Sequence, residues 1–291
     1  MIKNVRLYWR YLLLLSACWF TLSPTLRAES LVIVDAVSLL QPQAQPTNES
    51  LLLRQLLQAY PADYSIVDVS RNRAREWVKT ADNACMPWLK KTAARQQDFL
   101  FTLPYMIEAA LQLVVAADSD ALPLLDRLSG NNNTLSLTHL LQLKQAPLLG
   151  IELNRTYGNN IDSLVSQRYA SWSIYTRTSS SNETGSMLPM LERGFIDATL
   201  EYRKVAERSA MSFRYYAIQE AEPFNLVYFA CSKGERGQRV VNLLNEAIKL
   251  KSQQVAYQQL VLQSIAEKNH DQALQTWLQT LKLASEVEQH K

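Results

Sequence analysis

Leu31-Val32-Ile33-Val34, then Leu52, Leu53, Leu56, Leu57 and Tyr60, then Tyr64 to Val69, residues 71–81 and Ala84: the order of these segments decides the fold. The four apolar residues at 31–34 suit a buried strand. A Pro/Gln loop over 41–46 leads to Asn48, expected as an N-cap, and the leucines that follow recur at helical spacing until Pro61 stops the helix. Residues 64–69 are β-rich, 71–81 read as a helix, and a strand begins near Ala84. Strand, helix, strand, helix, strand predicts a parallel α/β sheet.

Further along, the same style continues. Residues 111–116, Leu148–Ile151, Ser171–Tyr175, Ile196–Leu200 and Asn225–Cys231 read as strands. Helices are expected near 160–168 and over Met187–Arg193, the second closed by Gly194 at a C′ position. Thr178 to Gly185 is a Ser-rich loop, and 235–287 is almost entirely helical, with Leu274, Trp277, Leu278 and Leu281 on one apolar face.

Upstream of Leu31, Lys3, Arg6 and Arg10 precede an apolar run from Tyr11 to Leu22, followed by Pro24 and Leu26-Arg27-Ala28. This pattern predicts an export signal cleaved after Ala28, and hence a periplasmic body. Leu15-Ser16-Ala17-Cys18 also has the form of a lipobox, which would anchor the chain through Cys18; Trp19, Phe20 and Leu22 prolong the apolar run past that cysteine and argue for the soluble form. The chain of 291 residues has a net charge of +3, but residues 1–28 hold four basic side chains and no acid. Without them 26 basic residues face 27 acidic ones, so no general field attracts nucleic acid. The seven glycines form no nucleotide-binding loop. About 263 residues remain after cleavage, more than one small core uses, which suggests two lobes.

Export leaves two cysteines, Cys85 and Cys231. In an oxidising compartment an isolated pair is expected to be bridged; two buried thiols that never meet are the alternative. His139, His270 and His290 stand far apart without ligand-spaced partners, so neither a metal nor another cofactor is expected.

Cys85-Met-Pro-Trp88-Leu-Lys-Lys-Thr92-Ala-Ala-Arg95, continued by Phe99-Leu-Phe-Thr-Leu-Pro104-Tyr105, resembles the "strand, Thr-x-x-Arg, Phe-Ser-x-Pro-Tyr" segment of extracytoplasmic solute-binding proteins of family 3, the polar amino-acid class. Leu149-Gly150-Ile-Glu-Leu-Asn-Arg155-Thr156-Tyr157-Gly158 resembles that family's second-lobe turn. Leu191-Glu-Arg-Gly-Phe-Ile-Asp197-Ala resembles its "Gly-(Arg/Lys)-(Ile/Val)-Asp-Ala" strand, and Phe229-Ala-Cys-Ser-Lys233 its returning first-lobe strand. The resemblance implies a type 2 periplasmic-binding fold, α/β, with mixed, mostly parallel sheets flanked by helices and a discontinuous first lobe. Lobe one would comprise 29–115 plus 218–291, and lobe two 116–217.

It also implies a ligand site. Arg95 would grip a carboxylate through its planar fork, with Thr92 at the same cleft edge. Arg155, Thr156 and Gly158 follow a strand end, where open α/β sheets place ligand contacts, and Arg155 could add a second cation from the opposite lobe. Trp88, Tyr105, Tyr157, Trp172 and Tyr202 fall in or beside these segments, and one or two of the five are expected to touch ligand. Two departures stand out. Tyr202 sits where the family's amine-binding acid commonly lies, so either Glu201 takes that role or no amine is recognised. The loop after Val34 lacks the family's aromatic. The expected function is capture of a small carboxylate-bearing, amino-acid-like solute by hinge closure, without catalysis. The expected protein is a monomer that hands its solute to an inner-membrane ABC permease or a membrane sensor. An enzyme on the same scaffold, of lyase or dehydratase type with Glu183, Glu192 or Glu201 as candidates, and a degenerate member acting through protein contacts are the alternatives.

Overall fold

The computed structural model describes residues 30–34, 46–167, 172–178 and 187–289. The export segment with Cys18, the loop after Val34, and the Ser-rich stretch with Glu183 lie outside the described residues, as does His290.

Strands β1 (Leu31–Val34), β2 (Tyr64–Val67), β3 (Ala84–Leu89), β4 (Leu100–Phe101) and β5 (Met106–Ala109) build the first sheet with a much later strand, β12 (Phe224–Cys231). Its order is β2-β1-β3-β12-β4, with β5 also on β12. The second sheet is β7-β11-β6-β10-β8-β9, formed by β6 (Gln112–Ala116), β7 (Thr134–Leu135), β8 (Leu149–Leu153), β9 (Ile174–Thr178), β10 (Ala198–Glu201) and β11 (Phe213–Ile218). Both sheets are mixed. Strand β1 runs parallel to β2 and β3, and β8 parallel to β9 and β10, while β12 and β6 run antiparallel to the neighbours they join.

The chain thus passes between sheets twice, at 110–111 and 219–223. Gln112–Val115, grouped with the first lobe on sequence grounds, pair with β10 and β11, and Ile218 closes β11, so both sets belong to the second sheet. An apolar run suits either core, and only pairing assigns it. Next to the crossovers, Ala109 lies opposite Phe224 in register, which sets the two connecting strands side by side.

Helices cover both faces of the first sheet. Helix α1 (Asn48–Ala59) buries Leu52, Leu53, Leu56 and Leu57, each contributing about 1.5–3 kcal/mol. Its N-cap is Thr47, one residue before the expected Asn48; the Thr47 hydroxyl accepts the Ser50 N–H at 3.2 Å. Helix α2 (Arg71–Thr80) packs Ala74 and Val78 on the other face, and α3 (Ala93–Asp98) follows β3. In the second lobe come α4 (Leu122–Ser129), α5 (Leu137–Leu140), α6 (Asn159–Ser166), α7 (Leu188–Glu192) and α8 (Arg203–Ala206). Helix α7 ends as read: Gly194 has φ 68°, and the N–H groups of Gly194 and Phe195 donate to the carbonyls of Leu191 and Met190. The tail forms α9 (Glu235–Ser252), α10 (Val255–Leu262) and α11 (His270–Gln289), which join the first lobe's core. The Trp277 indole donates to the Pro104 carbonyl at 2.8 Å and the Tyr257 hydroxyl to that of Tyr105 at 2.8 Å, so this tail supports the segment leading into the first crossover.

Cys85 and Cys231 are bonded and sit opposite one another in the β3–β12 register. Among the described residues no helix is long and apolar enough to cross a membrane, and no group of three His, Cys, Asp or Glu could hold a metal ion.

Candidate functional site

Three strands, β3 of the first sheet and β8 and β10 of the second, end at the same pocket. It encloses about 530 Å³ including its open mouth, with Met86, Pro87, Trp88, Leu89 and Lys90 from the end of β3 on one side. Arg71 and Arg75 from α2, Arg95 from α3 and Glu108 from β5 complete the first-lobe wall; Glu152, Arg155, Thr156 and Tyr202 form the opposite one. Strand carboxyl ends gather such contacts because the chain leaves the sheet there and exposes side chains and backbone polar groups together.

Of the residues nominated from sequence, Trp88, Arg95, Arg155, Thr156 and Tyr202 line this pocket, and Glu201 lies directly behind Arg155. Thr92 does not line it. Its hydroxyl caps α3 by accepting the Arg95 N–H at 3.3 Å. Tyr105 is fully buried in the first core, where its hydroxyl accepts the Trp88 N–H at 3.3 Å. Gly158, with φ 108°, turns the chain into α6. Two of the five aromatics line the pocket; Tyr157 is 3 % exposed in the second core, and Trp172 is 62 % exposed at the surface.

Arg95 sends Nη1 to the Lys90 carbonyl at 3.0 Å and Nη2 across the cleft to the Asn154 carbonyl at 3.5 Å. Burial first, then the nearby Arg75, lowers its pKa to about 10, so it stays charged at neutral pH.

Arg155 does not offer its charge across the cleft. Its guanidinium grips Glu201 bidentately, at 2.7 and 2.6 Å, with Glu152 at 3.9 Å, and lies between the rings of Tyr157 and Tyr202. Burial opposes its charge, but the Glu201 carboxylate outweighs that and holds the pKa well above the usual value. Glu201 also accepts the Tyr202 N–H at 2.8 Å. Glu201, one arm of the alternative left by the sequence, is thus bound to a cation of its own lobe. Asp197 accepts the Leu148 N–H at 2.7 Å beside the β8–β10 pair.

Sequence reading missed Lys90 and Glu108. The Tyr202 hydroxyl donates to Glu108 across the lobes, and the Lys90 Nζ lies 5.9 Å from the Tyr202 ring centroid. Both carried a signal: Glu108 interrupts an apolar run, and Lys90 closes a parallel strand. Burial lowers the Lys90 pKa to about 8; Glu108 and Asp162 oppose the shift, and Arg155 and Arg95 add to it. A folded pKa below the unfolded 10.5 means that the native state sheds this proton first. The charge therefore costs stability in full below pH 8, and the cost is relieved as pH rises to 10.5. In Lys90→Met that cost is absent. The variant's advantage in urea unfolding should be roughly 3 kcal/mol larger at pH 7 than at pH 10.5. A pH-independent difference would mean that Lys90 is solvated.

No protein-family model matches this chain, and no curated protein matches it. Solved structures do. An ancestral arginine-binding protein bound to glutamine aligns with a TM-score of 0.58 at 14% identity, over 82% of this chain and 99% of that one. The substrate-binding protein of an amino acid ABC transporter gives 0.57 at 15%, over 80% and 97%. An amino acid ABC transporter substrate-binding protein from Streptococcus pneumoniae bound to L-arginine gives 0.56 at 14%, over 81% and 93%. At such identity the likeness establishes the fold: two α/β lobes of the type 2 periplasmic-binding architecture.

Proposed function

We propose that this chain, built on the two-lobed periplasmic-binding fold, is an exported solute-binding protein that captures a small carboxylate-bearing solute in the cleft between its lobes. One observation carries the reading: the pocket joins both sheets at the ends of β3, β8 and β10, and besides Arg155, which Glu201 holds, four cationic side chains but only two carboxylates line it. Such a lining favours an anion, and Arg95 supplies the planar fork that carboxylates pair with.

The mechanism is a hinge. Paired crossovers at 110–111 and 219–223 let the lobes rotate, and a solute touching both walls shifts the open–closed equilibrium toward closed. Arg95 reaching the Asn154 carbonyl and Tyr202 reaching Glu108 are contacts of the closed arrangement. No covalent step is asked of these residues, so the chain is read as a binding protein and not as an enzyme. The structural neighbours of amino-acid ABC transporters support delivery to an inner-membrane permease, and a membrane sensor is the other recipient. Periplasmic location rests on residues 1–28.

Binding is tested on the mature protein refolded free of co-purified ligand, by thermal shift against amino acids, small acids and peptides. A specific solute at 100 times its Kd adds about 2.7 kcal/mol. Arg95→Ala should abolish that shift while leaving the fold intact; unchanged affinity removes Arg95 from the site. A library giving no shift at all favours the degenerate member that works through protein contacts.

A further inference from the structure

Two buried donors in this pocket have no hydrogen-bond partner among the described residues: the Trp88 indole Nε1 and the Lys90 Nζ. Lys90 is 9 % exposed, with the face of the Tyr202 ring across the cleft, Glu108 and Asp162 as nearby acids and Arg155 and Arg95 as nearby cations. An ammonium withdrawn from water without an acceptor is costly, and buried polar groups are nearly always satisfied. Nearby acids are engaged elsewhere: Glu108 accepts the Tyr202 hydroxyl, Asp162 accepts the Tyr157 N–H, and Glu201 and Glu152 face Arg155. The backbone at Trp88 adds a third sign. Its φ of 68° is a left-handed conformation that a bulky residue rarely adopts, and such outliers gather at ligand sites.

We propose that Lys90 and Trp88 form an anion seat separate from the Arg95 fork, so that the solute is a small dianion without an amine. One acidic group lies on Arg95; the other accepts from the Lys90 ammonium and the Trp88 indole N–H. This rests on the solute-binding reading above and narrows its chemical class. An α-amino group entering the pocket would meet Arg95 and Lys90, and the two lining acids already have partners, Glu108 the Tyr202 hydroxyl and Glu152 the Arg155 guanidinium, so it would lose water without gaining an unshared carboxylate.

The test uses four probes on the refolded mature protein, by titration calorimetry: glutarate, glutamate (the same dicarboxylate carrying an amine), inorganic phosphate and acetate. Glutarate should bind at least about tenfold tighter than glutamate or acetate, a charge-assisted hydrogen bond corresponding to about 10- to 100-fold. Phosphate binding in place of glutarate would support the seat and assign it a single compact dianion. Lys90→Met should weaken the preferred dianion by about 10- to 100-fold, and Trp88→Phe, which keeps the ring and removes the donor, by about 3- to 10-fold. Removing an unpaired buried charge should leave empty Lys90→Met at least as stable as wild type, so lost binding cannot be lost folding. Glutamate binding as tightly as glutarate, or a dianion that needs Arg95 but is indifferent to Lys90→Met, overturns this inference and leaves the solute-binding reading standing. If none of the probes and none of the wider library binds, both fall.

Discussion

Arg155→Met should destabilise the protein by about 3–5 kcal/mol, because it strands the Glu201 carboxylate in the second lobe without its counter-ion. Glu201 is 1 % exposed, and both its oxygens are held by the Arg155 guanidinium, so the carboxylate has no route to water once the cation is gone. The Tyr202 N–H remains, but one backbone donor does not replace a bidentate cation. The reverse change should be milder. In Glu201→Gln the guanidinium keeps Glu152, at 3.9 Å, as a second acid. Replacing both, as Arg155→Met with Glu201→Leu, should recover most of the loss, since a buried ion pair is often no more stabilising than apolar groups of similar volume. Urea midpoints for the three variants check this. A single Arg155→Met shift below about 1 kcal/mol would match a solvated surface pair instead. The expected loss would make this arginine a support for the second wall of the cleft.

Breaking the Cys85–Cys231 bond should cost about 5 kcal/mol on the loop-entropy scale, because the two cysteines are 146 residues apart in the chain. The closed loop contains the entire second lobe, and the bond joins β3 to β12, the strand that returns from it. Cys85→Ala with Cys231→Ala should therefore loosen the first lobe, whose N-terminal strands and C-terminal tail are otherwise held by packing and by hydrogen bonds such as those of Trp277 and Tyr257. Non-reducing mass spectrometry of the exported protein should show the two peptides linked, and urea unfolding with and without reductant should differ by that amount. Two alkylatable thiols in native protein would remove the bond, and an unfolding curve indifferent to reductant would remove its contribution.

Alternation of apolar runs with helical periodicity was enough to place β1, α1, β2, α2 and β3 in order, because each element buries a face that its own residues define. Pro61 and Gly194 marked element ends through backbone restrictions that hold in any fold. Two lobes followed from length, and the segment around Arg95 pointed to their type. Other elements were not legible. Phe213–Ile218 pairs with β6 along its length, yet its mixed residues show no clean period, and it is a strand only because β6 supplies partners. Gln112–Val115 would fit either lobe until β10 and β11 claim them.

The amino-acid sequence by itself determined which residue types stand at the strand ends: a guanidinium at 95, a Trp and a Lys closing β3, an Arg after β8, an acid and a Tyr after β10. Only the tertiary structure decided which of those charges are available. Charge availability is a property of pairs, and the pairs here join residues 46 and 94 positions apart, Arg155 with Glu201 and Glu108 with Tyr202. No local pattern records such a distance, because each partner is chosen by how the sheets cross and how little water remains between them.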